Sequence, residues 1–132
     1  ANLMQGVVNS GTGARLRSKY GLKGEIAGKT GTTNDQSDGW FIGYTPSLTA
    51  GVWVGAEDRQ VHFESLALGG GSNMALPIWG LFMQKVMKAG TLGVYETDRF
   101  IKPMGIELNL NCDGSDADAM LSAEEEEDYF FE

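Results

Sequence analysis

Apolar positions first appear at helical spacing: Leu3, Met4, Val7 and Val8 share one face of a short helix, and Asn9-Ser10-Gly11-Thr12-Gly13 ends it in a turn. Thr12 stands where it would cap a second short helix carrying Arg15, Arg17 and Lys19 on its wet side. From Gly24 the pattern becomes extended. Strands are expected at Glu25–Thr33, Trp40–Tyr44 and Ala50–Gly55, separated by the turn-rich runs Asn34-Asp35-Gln36-Ser37-Asp38-Gly39 and Thr45-Pro46-Ser47. Connections this short suit adjacent antiparallel strands. Trp40-Phe41-Ile42-Gly43-Tyr44 and Val52-Trp53-Val54 are apolar on both faces, so the sheet is expected to be covered on both sides. Ala75–Lys88 is polar only at Gln84, Lys85 and Lys88, which predicts a helix buried against that sheet, with Pro77 in its first turn. Gly69-Gly70-Gly71 and Gly90 read as the breaks that bound it. Gly93 to Leu110 shows no period and is expected to be irregular.

Charge changes the picture of the C-terminal end. The chain of 132 residues has a net charge of −8, but positions 1–112 hold 10 basic and 9 acidic groups. The whole excess lies in 113–132, where Glu124-Glu125-Glu126-Glu127-Asp128 precedes Tyr129-Phe130-Phe131-Glu132; a solvated, disordered tail is the expectation. A nearly neutral body argues against nucleic-acid binding, which needs a basic footprint. No run of about 18 apolar residues occurs, so no membrane-spanning helix is expected within the chain. Cys112 is the one cysteine and His62 the one histidine, far apart, so neither an internal disulfide nor a Cys/His metal site is expected, and no cofactor is implied. Position 1 is Ala and no leader follows it, which suggests a piece of something longer.

Ala27-Gly28-Lys29-Thr30-Gly31-Thr32-Thr33 is the run with chemistry in it. Gly28-Lys29-Thr30 matches the end of a phosphate-binding loop, but that pattern needs Gly at 23, where Lys23 stands, and an amphipathic helix after Thr30, where turn and strand composition follows. A second reading is a Lys-Thr-Gly strand at the edge of an acyl-transfer cleft. A strand sends Lys29 and Gly31 to one side and Thr30 and Thr32 to the other. The cation would favour a peptide carboxylate, the hydroxyls would hydrogen-bond it, and Gly31 would let a substrate backbone lie close. The Thr32 N–H would then be free to stabilise an oxyanion, a role worth about 3–4 kcal/mol elsewhere. A third reading is a mere tight turn.

The surroundings decide between them. Ser10-Gly11-Thr12-Gly13, Ile26 to Thr33, Asp38-Gly39-Trp40-Phe41-Ile42-Gly43-Tyr44-Thr45-Pro46, Val52-Trp53-Val54-Gly55 and Pro77-Ile78-Trp79 resemble, in order and spacing, the C-terminal part of the transpeptidase domain of class A penicillin-binding proteins. The resemblance covers about residues 1–90, with Ala75-Leu76 departing from the two small residues usual before the Pro-Ile-Trp run. It implies an α+β fold in which an antiparallel five-stranded sheet is sandwiched by helices, this chain supplying the later strands and the last helix. Residues 1–92 would be that portion, 93–112 an irregular extension and 113–132 the tail.

The resemblance also implies a reaction. A serine attacks a peptidoglycan stem peptide ending in D-Ala-D-Ala, D-Ala leaves, and a neighbouring stem's amine resolves the acyl-enzyme; β-lactams acylate the same serine. Carried over by position, Lys29, Thr30 and Thr32 are the catalytic residues, and Lys29, Thr30, Gly31, Thr32 and Thr33 line the substrate. The family's nucleophile sits in Ser-x-x-Lys, yet no serine here has Lys three residues on, and Ser72-Asn73 is one residue short of Ser-x-Asn. The chain is therefore expected to form one wall of an active site, to depend on the remaining N-terminal part of the same protein, and to be inactive alone. The family carries a glycosyltransferase domain and a membrane anchor upstream, implying the extracytoplasmic face of a bacterial cytoplasmic membrane.

The remaining residues carry blander expectations: His62 at the surface, Trp40, Trp53 and Trp79 as core packing, Asp38 stabilising a turn, and Cys112 incidental. Two other roles stay open at this point. One is a β-lactam-sensing or scaffold domain without turnover. The other is an interaction module whose Tyr129-Phe130-Phe131 end anchors a basic partner.

Overall fold

Alternation of side chains across the pleat gives the sheet one face for the core and one for the outside. In the computed structural model, which describes residues 1–105, β1 (Ala27–Thr32), β2 (Asp38–Tyr44) and β3 (Thr49–Gly55) form an antiparallel sheet in the order β1-β2-β3. Thr30 pairs with Phe41 and Phe41 with Val52, so these three share a face, as do Gly28, Gly43 and Ala50. Phe41 is fully buried there. Gly28 and Gly43 are required by packing rather than by dihedral freedom: a Cβ on Gly43 would sit 2.7 Å from the Trp79 ring, and one on Gly28 would sit 2.8 Å from the Phe41 ring.

Helices cover that face. α1 (Asn2–Asn9) lies against β1, and α4 (Ala75–Ala89) lies against β2 and β3. α4 runs one residue beyond its expected end and stops at Gly90, whose φ of 64° is left-handed and suits glycine. Its Trp79 stands edge-on to Phe41 at 5.2 Å, and its Gly80 lets the Tyr20 ring approach. α2 (Arg15–Ser18) adds Leu16 to this core, together with Val8, Leu22, Ile26, Leu76 and Met83. Arg17 ties α1 to this segment by donating to Asn9 Oδ1 and to the Leu22 carbonyl, and its partial burial lowers its pKa without threatening its charge.

The structure departs from the sequence pattern in several places, beginning with the strand bounds: β1 leaves out Glu25, Ile26 and Thr33, β2 takes in Asp38 and Gly39, which were expected in the turn, and β3 starts at Thr49. Thr12 does not cap α2, which begins after Ala14 without a side-chain cap; its hydroxyl is drawn to β1 instead. Gly69-Gly70-Gly71 is more than a break: α3 (Leu66–Gly69) ends in it, all three glycines are buried, and a side chain on Gly71 would collide with the Gly31 and Trp40 carbonyl oxygens. The outer sheet face carries Trp40, Ile42 and Trp53, each between 43% and 50% exposed, so among the described residues cover is supplied on one side only. α4 likewise leaves Ile78, Leu81 and Phe82 exposed. Trp79 alone of the three tryptophans is core; Trp40 and Trp53 pair on the open face, 6.4 Å apart.

The stretch after α4 is irregular but packed. Val94 is buried, Phe100 stands edge-on to Tyr44, and the Phe100 N–H donates to Glu25 Oε2. Asp98 latches it, accepting from Ser47 Oγ at 2.6 Å and from the Tyr95 N–H at 3.0 Å. These bonds, the Ser47 hydroxyl first, lower the Asp98 pKa below its ordinary 3.8. A carboxyl whose folded pKa is depressed contributes stability above its unfolded pKa and loses it as pH falls through the folded value. Protection of the Tyr95 amide, relative to a free amide at the same pH, is therefore expected to fall as pH drops below Asp98's ordinary 3.8, and at neutral pH in Asp98→Asn; unchanged protection in that variant would show that the latch is inert. Ala1–Lys102 makes one compact unit, and the acidic tail and Cys112 lie outside the described residues. No helix of the described residues is long and apolar enough to cross a membrane.

Candidate active site

β1 is an edge strand, and its hydrogen-bond phase decides what it offers at that edge. The Thr33 N–H donates to the Asp38 carbonyl at 3.1 Å, which makes those two a hydrogen-bonded pair. The ladder alternates from there. Gly31 and Lys29 spend their backbone groups on Trp40 and Ile42 of β2, while the N–H groups of Thr32, Thr30 and Gly28 point out along the free edge. A row of outward amides on an edge that has no partner strand among the described residues is a template for an extended peptide.

The side chains divide by pleat. Lys29 and Gly31 share the outer face with Ile42 and Trp40, and Thr30 and Thr32 lie on the helix side, opposite Phe41 and Gly39. Lys29 is exposed and wraps back to the edge, where its Nζ donates to the Thr30 carbonyl at 2.9 Å. A cation thus stands beside the outward amides. A Cβ on Gly31 would meet the Trp40 Cβ at 3.2 Å, so bare backbone is what keeps this stretch of edge low.

The two hydroxyls are held from opposite ends of the chain. Thr30 Oγ1 and Thr12 Oγ1 lie 3.0 Å apart, so the Gly11-Thr12-Gly13 turn after α1 reaches the strand through one hydrogen bond. Thr32 Oγ1 accepts the Gly71 N–H at 3.0 Å. An amide cannot accept in return, so the Thr32 proton is left to donate outward, the polarity an anionic group requires. Thr33 does not face the edge: its hydroxyl accepts the Asp38 N–H at 2.9 Å and lies 2.9 Å from Ser37 Oγ. The structure thus brings Lys29, Thr30, Gly31 and Thr32 to one edge and turns Thr33 inward.

Sequence reasoning missed Thr12, Gly71 and the reach of Asp38. Thr12 looked like a cap because its partner lies 18 positions away, and Gly71 looked like a breaker because its partner lies 39 positions away. The signal for both was glycine flanking, Gly11-Thr12-Gly13 and Gly69-Gly70-Gly71, which marks close backbone approach as readily as a turn. Asp38 accepts from the Trp53 indole N–H at 3.0 Å on β3, a contact no local reading supplies. His62 is exposed, its Nδ1 near the Phe63 carbonyl. A cleft of about 370 Å³ lined by Tyr20, Gln84, Lys88 and Glu96 lies elsewhere and takes no residue from β1. Among the described residues no group of His, Cys, Asp and Glu is placed to hold a metal.

The penicillin binding protein transpeptidase domain matches residues 1–67, just over half of the chain. The chain belongs to this family. Penicillin-binding protein 1A of Aquifex aeolicus is 35% identical over 111 residues, 83% of this chain and 14% of its own length. Penicillin-binding protein 1A of Pseudomonas aeruginosa is 39% identical over 90 residues, 66% of this chain and 10% of its own. The crystal structure of penicillin-binding protein 1A from Haemophilus influenzae aligns with 82% of this chain at a TM-score of 0.62 and 23% identity, a likeness of fold. That alignment covers 16% of the longer chain. The antiparallel sheet with its helices is thus part of the penicillin-binding protein α+β fold, and the chain spans a small part of the length of the relatives it matches. Its relatives place it with the transpeptidase region of class A penicillin-binding proteins.

Proposed function

We propose that this chain forms the Lys-Thr-Gly wall of a serine D,D-transpeptidase that cross-links peptidoglycan stem peptides and is acylated by β-lactams. The observation that carries the reading is the free edge of β1, where the Thr32 N–H faces outward between a Lys29 ammonium, a Thr30 hydroxyl tied to Thr12 and a Thr32 hydroxyl that accepts from Gly71 and is left to donate. A stem peptide laid along this edge would place its terminal carboxylate against Lys29, Thr30 and Thr32. The penultimate carbonyl oxygen would lie at the Thr32 amide. The serine oxygen then attacks that carbon, the negative charge that develops is held by the amide, the C–N bond breaks, and D-Ala departs with the proton taken from the serine. An amine of a second stem attacks the ester, and the serine leaves with the amine's proton. Neither cofactor nor metal enters this scheme.

The nucleophile belongs to the part of the protein outside this chain, because no serine here is followed by Lys three residues on. The same reading puts the site on the extracytoplasmic face of the membrane, with anchor and glycosyltransferase upstream. The test is intact mass after treatment with penicillin. The full-length protein is expected to gain one acyl adduct on a serine outside residues 1–132, and the isolated chain none. An unlabelled full-length protein would favour a scaffold role, and a stable single-serine adduct on the isolated chain would overturn the division of labour.

A further inference from the structure

The turn that follows the Lys-Thr-Gly edge is strained in its middle and clamped at its ends by one carboxylate. Asp35 and Gln36 hold φ of 57° and 53°, left-handed values that side-chain-bearing residues keep only where surrounding contacts impose them. Gln36 packs against Gly69 and donates its N–H to the Thr33 carbonyl at 3.2 Å, and Asp38 clamps the far end of the turn. Its Oδ1 accepts the Trp53 indole N–H at 3.0 Å, and its Oδ2 lies 3.2 Å from both Thr33 Oγ1 and Ser37 Oγ. Its own N–H donates to Thr33 Oγ1 at 2.9 Å and its carbonyl accepts from the Thr33 N–H. Ser37 is buried, which makes the carboxylate the terminus of a hydroxyl chain shielded from water. One side chain thus joins the end of β1, the start of β2 and the middle of β3. Arg59 adds a distant cation at 3.8 Å on the exposed side.

We propose that Asp38 is a positioning residue for acyl transfer: it fixes Thr33, and through it the backbone of Thr32 that aims the outward N–H at the reacting carbonyl. The inference rests on the acyl-transfer reading of the β1 edge. Thr33 is bonded at its N–H and its hydroxyl within the Asp38 network, which anchors the peptide on the C-terminal side of Thr32, while the pairing of Gly31 with Trp40 anchors the peptide that carries the Thr32 N–H. Releasing the carboxylate would free the C-terminal end of β1 and with it the torsions of Thr32, so that the edge amide is held from one side only, a displacement that costs rate without removing any group that touches substrate. The Trp53 arm binds the same carboxylate to a neighbouring strand, so the clamp is set by the sheet and not by the turn alone.

The experiment is rapid-mixing acylation of the full-length protein by a fluorescent penicillin, separating the binding constant from the acylation rate constant, with thermal unfolding measured alongside. Asp38→Asn is expected to lower the acylation rate constant about tenfold while the binding constant moves less than threefold. Ser37→Ala removes the Ser37 bonds to Asp38 Oδ2 and to Thr33 Oγ1 and leaves the Thr33 and Trp53 bonds to the carboxylate in place; it is expected to lower the same rate constant about threefold to fivefold. Asp38→Glu, too long for the ring of hydroxyls, is expected not to rescue it. The proposal is overturned where both Asp38→Asn and Ser37→Ala react at the wild-type rate constant, or where their losses appear only as a smaller labelled fraction that tracks unfolding. An unreactive wild type would instead sink the acyl-transfer reading itself, so the two failures are distinguishable.

Discussion

Lys29→Ala in the full-length protein is expected to cut the second-order rate of β-lactam acylation by about a hundredfold, with an unfolding transition close to wild type. The rate effect follows from where the charge stands. Lys29 Nζ is within hydrogen-bond reach of the Thr30 carbonyl on the free edge, beside the outward amides, and it is exposed. A hydrogen bond to a charged partner contributes about 1.5–3 kcal/mol, and each 1.4 kcal/mol is a factor of ten. On the proposed reading the ammonium holds an anionic carboxylate and favours an ionised serine network, so the loss is expected to fall on binding and chemistry together. Stability is spared because Lys29 buries nothing and its one bond is to its neighbour's carbonyl; exposed substitutions of this kind stay within about 0.5 kcal/mol. Labelling kinetics at several salt concentrations provide the check: the wild-type rate is expected to fall with ionic strength and the variant's to be flatter. An acylation rate within twofold of wild type would remove Lys29 from the machinery.

What the sequence made legible and what it hid follow from range. The strands at 27–32, 38–44 and 49–55 and the helix at 75–89 were readable because their signals are local: alternation, a narrow polar stripe, a glycine stop. The Lys-Thr-Gly edge was readable because its chemistry lies in consecutive residues, and five ordered blocks raised it above coincidence. The contacts that tie the edge to distant segments were hidden, because they are long-range. Thr12 meets Thr30 across α2, and Gly71 meets Thr32 across the whole sheet. Polar donors with two plausible local partners, a cap or a turn, go to the distant one when packing brings it within 3.0 Å. The expectation of a sheet covered twice was drawn from hydrophobicity alone, which says that Trp40, Ile42 and Trp53 want cover without saying what supplies it.

Trp79→Ala is the substitution expected to cost most stability, about 3–5 kcal/mol. Trp79 is fully buried, stands edge-on to Phe41 and donates its indole N–H to the Ala50 carbonyl at 3.0 Å. Truncation therefore removes a large apolar contact, an aromatic pair and a hydrogen bond, and leaves that carbonyl without its donor. Collapse cannot fill the void. Gly43 sits directly beneath the ring, contributes no side chain, and belongs to the ladder that aligns β1 with β2 through its pairing with Gly28. The loss would consume a large share of the roughly 5–15 kcal/mol that holds a typical domain together. Trp79→Phe keeps the aromatic pair and loses only the indole donor, so its cost is expected to be about half as large or less. Denaturant unfolding of the full-length protein, read by loss of penicillin labelling, orders the three proteins. Because Trp79 holds Ala50 and Phe41, and its one hydrogen bond goes to β3, the folded fraction of either variant is expected to acylate at the wild-type rate constant. A Trp79→Ala protein as resistant to denaturant as wild type would show that α4 is not what holds this sheet together.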